Sequence, residues 1–236
     1  MSDLGRVCVF CNSKGGVGKS TISFLTSLSL YMIESVRQTT FVDLDSQATS
    51  ITALQKFTNS RFNIENCAAY MLENGLLNAG ALTQFLTGLR RNGYQVIVDM
   101  PAASRAQDLL FVGEGDIVFV PTSASDADIA ATHIFLQNLL KDDRRGKASP
   151  FIVVLPNMIE DEEDMQIIRR SFWDFPIFFG RPFLYNRDFR KIFRNRNDDT
   201  NILLALQTGS EYFTWMHSVI YGSAENRIRS TRLTVI

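Results

Sequence analysis

Lys14-Gly15-Gly16-Val17-Gly18-Lys19-Ser20-Thr21 stands between the short apolar run Arg6-Val7-Cys8-Val9-Phe10-Cys11 and a long stretch without glycine or proline. Three glycines strip the chain of side chains where backbone N–H groups can converge on an anion. If a helix begins just after them, its unpaired N–H groups and the positive end of its dipole meet that anion as well. Lys19 can then reach the terminal phosphates of a nucleotide, and the Ser20 hydroxyl can hold Mg2+. The flanks supply that setting. Arg6 to Cys11 reads as a β-strand, and Ile22, Leu25, Leu28, Ser29 and Met32 recur at helical spacing within Ile22 to Val36.

Two features separate this stretch from an ordinary phosphate loop. The ordinary pattern has glycine five positions before Gly18, where this chain has Ser13, and Lys14 is a second lysine ahead of the glycine pair. Lys14-Gly15-Gly16-Val17-Gly18-Lys19-Ser20-Thr21 resembles the deviant Walker A motif of the ParA/MinD family, whose members sort plasmids, chromosomes and other cargo. The resemblance implies binding of ATP with Mg2+ through Lys14 to Thr21. It also implies an ATP-bound sandwich homodimer in which Lys14 crosses to the partner's nucleotide.

The rest of the chain repeats a strand-then-helix rhythm. Apolar runs at Thr40-Phe41-Val42, Tyr94 to Val98, Ile117 to Val120, Phe151 to Leu155 and Ile177 to Phe179 each stop at a turn or an acidic residue. Helix-length stretches follow at Ala81 to Arg91, Asp126 to Leu140 and Glu162 to Trp173. Continuous rather than alternating hydrophobicity suits parallel strands covered on both faces. The expected fold is α/β, a doubly wound, mainly parallel sheet with ligands at the carboxyl ends of its strands, formed by residues 1–236 as a single domain. The acidic run Glu160 to Asp164 reads as a helix start.

Composition bounds the function classes. With 236 residues, 45% of them hydrophobic and 21% charged, the chain can form a sizeable core. A formal net charge of −1 gives no global attraction to nucleic acid or anionic membrane, so such binding needs a local patch. No secretory start or long apolar span is visible, and a cytoplasmic protein is expected. Cys8 and Cys11 have the spacing of a metal or redox pair, but on a strand they point to opposite faces and read as buried thiols. Cys67, His133 and His217 have no ligand-spaced company and read as packing residues.

Acidic residues end two of the runs. Asp43 and Asp45 stand in Val-Asp-Leu-Asp-Ser-Gln, and Asp99 stands in Val-Ile-Val-Asp-Met-Pro. A carboxylate at the carboxyl end of a strand shares the crevice with the phosphate loop, where it can orient Mg2+ or the attacking water. These segments resemble the family's switch I and its Walker B with switch II. The resemblance makes Lys14, Asp45 and Asp43 catalytic, with Asp45 near the attacking water and Asp43 supporting metal and water. Ser20 and Asp99 complete the metal set. Ser46 stands where proline is usual and Met100 where threonine is usual, which bears on switch geometry. Asn157, in Pro156-Asn157-Met158, either faces the adenine edge, as in the family, or caps the next turn. By the same resemblance, Arg181 to Arg187 closes over the base.

A basic patch falls in the last quarter. If Asn186 to Asn195 is helical, Arg187, Arg190, Lys191 and Arg194 line one face, with Phe189 and Phe193 on the other. That face can track DNA phosphates without reading bases, as ParA-like proteins do through their C-terminal regions, or it is a solvated helix face. The resemblance thus implies an ATPase that is slow alone, binds nonspecific DNA, is stimulated by a cargo-bound protein partner, and positions plasmid DNA or other large cargo. Two alternatives stand beside it. MinD-like relatives end in an amphipathic membrane helix, and the tail Asn-Arg-Ile-Arg-Ser-Thr-Arg-Leu-Thr-Val-Ile mixes arginine with apolar residues but lacks an aromatic anchor. The other is a small-molecule enzyme sharing the loop, for which no substrate motif is visible.

Overall fold

The computed structural model describes residues 4–33, 38–45, 49–55, 62–66, 70, 78–102, 109, 111–141, 149–189, 192 and 199–232. Strands β1 (Val7–Asn12), β2 (Thr39–Asp43), β3 (Phe62–Asn66), β4 (Gln95–Ala102), β5 (Ile117–Thr122), β6 (Phe151–Ile159) and β7 (Phe178–Phe179) lie in the order β3-β2-β4-β1-β5-β6-β7, with β8 (Phe183–Leu184) beside β6. Their pairings are parallel. β1 sits between β4 and β5, where the order of strands reverses, and the crevice at its carboxyl end is where such sheets take ligands.

Helices cover both faces. On one side, Cys8 and Phe10 of β1 pack with α1 (Lys19–Ile33), α2 (Thr49–Leu54), α6 (Asp199–Thr208) and α7 (Ser210–Tyr221). On the other, Val7, Val9 and Cys11 pack with α3 (Ala79–Arg91), α4 (Asp126–Lys141) and α5 (Glu162–Ser171). The two thiols therefore face opposite layers, as the strand period requires, and burial pushes Cys8 up to about 12 and Cys11 higher still. Phe10 meets Phe119 on β5 at 4.8 Å between ring centroids, which fastens the strand carrying the loop to its neighbour. The last helix, α8 (Ala224–Arg232), packs on α7 and β7. Among the described residues no helix is long and apolar enough to cross a membrane.

α1 is enclosed rather than amphipathic, since Ile22 to Leu30 are all buried. Its hydroxyls are accommodated locally: Ser27 donates to the Phe24 carbonyl at 2.7 Å and Ser29 to the Thr26 carbonyl at 2.8 Å. Ser29 also meets His217 Nε2 at 2.9 Å, where burial lowers the imidazole to about 4. Met32, placed on the core face by helical spacing, is instead 55% exposed in the last turn. The acidic run does start a helix: Asp161 accepts from the Asp164 N–H at 3.0 Å while Asp164 accepts from the Glu160 N–H at 2.9 Å. His133 packs edge-on against Phe175, and Cys67 lies outside the described residues.

Three strands run past their expected ends. β4 continues through Pro101, β5 through Pro121 and β6 through Pro156. Each proline removes one donor near the carboxyl end of a strand, where the ladder is about to finish, so the strand survives it. The consequence for β6 is that Asn157 lies inside the strand instead of after it.

Candidate functional site

The loop emerges from β1 and turns straight into α1, with the Ile22 N–H donating to the Gly18 carbonyl at 3.0 Å. Gly16 and Gly18 have φ of 83° and 89°, left-handed conformations that a side chain would oppose. A Cβ on Gly15 or Gly16 would meet no atom within 4 Å, so this part of the loop opens outward as a bare cradle. Gly18 is different. A Cβ there would come within 2.1 Å of Asn157 Nδ2, which donates to the Val17 carbonyl at 2.7 Å.

The two lysines occupy unlike surroundings. Lys19 is only 7% exposed and donates from Nζ to the Lys14 carbonyl at 2.8 Å, while Lys14 itself is half-buried. Desolvation lowers the Lys19 pKa, against the pull of Asp99 and Asp45. The start of the loop is tied outward: Asn12 Oδ1 accepts from the Lys14 N–H at 3.2 Å, and Asn12 Nδ2 donates to the Pro121 carbonyl at 2.8 Å and to Thr132 Oγ1 at 2.7 Å.

Asp43 and Asp99 are register partners on β2 and β4, and Phe10 pairs with Asp99 on the other side. Parallel pairing therefore sets both carboxylates at one end of the sheet, beside the loop. Burial raises Asp43 to about 6 and Asp99 to about 7; the Asp45 charge pushes both the same way, and Asp43 adds to the effect on Asp99. Ser20 and Lys19 pull Asp99 down. Asp45 is half-buried and its N–H donates to Asp43 Oδ1 at 3.0 Å. Asp43 Oδ2 and both Asp99 carboxylate oxygens are buried without a protein hydrogen bond of full geometry. Orphaned acceptors beside an open cradle fit a hard divalent cation that also contacts phosphate oxygens. Among the described residues no group of three or more His, Cys, Asp or Glu side chains is placed to hold a metal ion by itself. Ser46 lies outside the described residues, and Met100 is buried within β4.

The raised carboxylates have a consequence for stability. Between about pH 4 and pH 7 the folded chain holds protons that the unfolded chain has released, so stability falls as pH rises through that window, and the full penalty stands above it. Asp99→Asn should flatten the dependence and raise the melting temperature of the nucleotide-free protein at pH 8 by on the order of 5 °C. Melting curves at pH 5 and pH 8 check this. A variant that melts lower at pH 8 with the parent's pH slope would show that the Asp99 charge is already compensated.

Beside Gly18 and Thr21 lies a recess of about 160 Å³, walled by Asn157, Met158, Phe183, Leu184, Tyr185, Asn186 and Phe189. The loop, Asn157 and the 183–186 segment are thus brought together around one recess. Asn157 pairs with Phe183 at a register shift between β6 and β8, and the next residue, Met158, has φ of 59°. A bulky residue held there is strained, and the bulge turns Asn157 toward the loop. A larger groove of about 740 Å³ shares the 183–186 wall but contains neither the loop nor the carboxylates.

Only the start of the basic patch falls within the described residues. Asn186 Oδ1 accepts from the Asp188 N–H at 2.8 Å, a bond that serves a turn or a helix N-cap alike. Arg187 is exposed there, and Phe189 is buried against Phe183 at 4.4 Å. Arg190, Lys191, Phe193 and Arg194 lie outside the described residues. Sequence reasoning misses Asn12 and Thr132; an asparagine closing the apolar run just ahead of the loop is the available signal.

A family model described as an AAA domain matches residues 5–98. No curated protein matches the chain by sequence. Among solved structures, a ParA family ATPase from Chlorobium tepidum is similar at TM-score 0.66 and 14% identity, covering 90% of this chain and 97% of that one. A variant of Cyanothece McdA in complex with ATP is similar at TM-score 0.65 and 16% identity, covering 89% and 92%. pNOB8 ParA bound to nonspecific DNA is similar at TM-score 0.61 and 13% identity, covering 98% and 100%. At such identities the structures attest the fold, that of the α/β P-loop NTPases, while the family model covers the part that carries the loop, Asp43 and the start of β4. The chain is thus similar in fold to the ParA and McdA structures, and its loop sequence resembles the deviant Walker A motif of the ParA/MinD family.

Proposed function

We propose that the chain is a positioning ATPase that binds ATP with Mg2+, dimerises around it and holds nonspecific DNA while dimeric. The observation that carries this is the division between the two lysines: Lys19 is buried against the loop, whereas Lys14 is half-buried at the loop's outer side. One cation serves the chain's own nucleotide and leaves the other for a partner's. Gly15 to Thr21 offers backbone N–H groups to the phosphates, and Asn157 borders the base recess. Bound Mg2+, held by Ser20 with Asp43 and Asp99, supplies charge neutralisation on the phosphates. Asp45 orients the attacking water. The Mg2+ set, the Asp45 role and the cargo-bound stimulating partner come from the family resemblance, and the ATP complex of McdA supports the nucleotide assignment.

The DNA output is supported by the relative bound to nonspecific DNA and by the cationic run that starts at the exposed Arg187. The membrane alternative has less support. Thr231 of α8 is 5% exposed and Trp215 Nε1 donates to the Ser230 carbonyl at 3.3 Å, so the described part of the tail is seated on the body. Binding to a random-sequence duplex should require ATP and weaken steeply with salt. Arg190→Glu with Arg194→Glu should release DNA and flatten the log–log salt slope by roughly one unit for each phosphate left without its cation. Salt titrations on two unrelated duplexes check it: an unchanged slope, or binding to one sequence alone, would contradict the DNA reading.

A further inference from the structure

We propose that Asn12 and Thr132 are positioning residues for Lys14, so that the outer helix α4 sets where the dimer-crossing lysine sits. Asn12 is fully buried at the end of β1, and its amide is committed on both sides. Its two donors go to the Pro121 carbonyl of β5 and to Thr132 Oγ1 of α4, and its carbonyl takes the Lys14 N–H. Thr132 in turn donates to Thr122 Oγ1 at 3.0 Å, closing the link between α4 and β5.

A second tie runs in parallel. Ser13, standing where an ordinary phosphate loop has glycine, donates from Oγ to the Ala131 carbonyl at 3.2 Å, also on α4. Glycine could not make that bond. On its other side the Lys14 carbonyl accepts from Lys19 Nζ. The two peptides that flank the Lys14 Cα are therefore each held, which aims its side chain. A peptide N–H spent on Asn12 is also not one of those converging on phosphate, so the network serves the aim of Lys14 rather than the cradle. Small errors in placing such a group are costly to any interaction that needs it at a set position.

This inference rests on the sandwich-dimer reading, and the experiment separates the two. Light scattering over a protein concentration series with ATP and Mg2+ gives the dimerisation midpoint, and a fluorescent ATP analogue gives nucleotide affinity. Thr132→Val, which keeps volume but removes the hydroxyl, should raise the dimerisation midpoint roughly tenfold or more while nucleotide affinity changes by less than about threefold. Thr132→Ser should restore the parent's midpoint, and Ser13→Ala, at a half-buried site with little risk to folding, should shift it in the same direction as Thr132→Val. Lys14→Ala is the control. If Lys14→Ala stays monomeric while both Thr132→Val and Ser13→Ala dimerise like the parent, the positioning role is wrong and the dimer reading stands. If affinity and dimerisation fall together and Thr132→Ser fails to rescue them, the residue is only packing and the inference is overturned. Normal dimerisation of Lys14→Ala would overturn both.

Discussion

Lys19→Ala is expected to lower ATP affinity by about two orders of magnitude or more, because it removes a cation positioned to make charge-assisted hydrogen bonds to the terminal phosphates. Among the described residues no other cation is placed to take over its role. Lys14, the other lysine of the loop, is tied at its peptide on the outer side, and the neighbouring side chains are the carboxylates Asp43, Asp45 and Asp99. With Lys19 gone, those carboxylates face the incoming phosphates with no internal cation between them. Titration with a fluorescent ATP analogue decides the matter, and binding within about threefold of the parent would mean that the backbone cradle alone holds the nucleotide.

Gly18→Ala is the second large effect. The substitution asks alanine to adopt φ near 89° and places a Cβ 2.1 Å from Asn157 Nδ2, so the bond from Asn157 to the Val17 carbonyl must break or the loop must tilt. A left-handed alanine costs roughly 1–2 kcal/mol and a broken buried hydrogen bond about as much again. The melting temperature should therefore drop by on the order of 5–10 °C. Gly15→Ala should leave it near the parent's, since its Cβ meets nothing within 4 Å and its φ is not left-handed. Adding Asn157→Ala to Gly18→Ala should recover part of the loss by removing the clash. Equal melting temperatures for the two glycine variants would show that the loop is freer than its packing against β6 implies.

The decisive parts of this site are local, which is why they can be read from sequence. The double-lysine loop, the strand before it and the helix after it fall within about thirty residues, and Asp43 and Asp99 each end a plain apolar run. What stays hidden depends on distant segments meeting. Asn12 gains its partners on β5 and α4, more than a hundred residues away. Asn157 reads equally as an adenine contact and as a turn cap, and its bond to the loop emerges only once β6 is seen to run through Pro156 and bulge at Met158. The enclosure of α1 hides Met32 in the opposite sense: a helix covered by α7 still ends in solvent.

In the proposed function, nucleotide brings two copies together through the second lysine. Light scattering of the intact protein with Mg2+ and ATP, against the same sample with ADP, reads this as a change of mass. The expected result is a doubling of mass with ATP alone, persistence of that dimer when Asp45→Ala removes the group that positions water, and a monomer for Lys14→Ala that still binds the fluorescent ATP analogue. A parent that remains monomeric with saturating ATP, or a Lys14→Ala variant that doubles its mass as the parent does, would contradict the account.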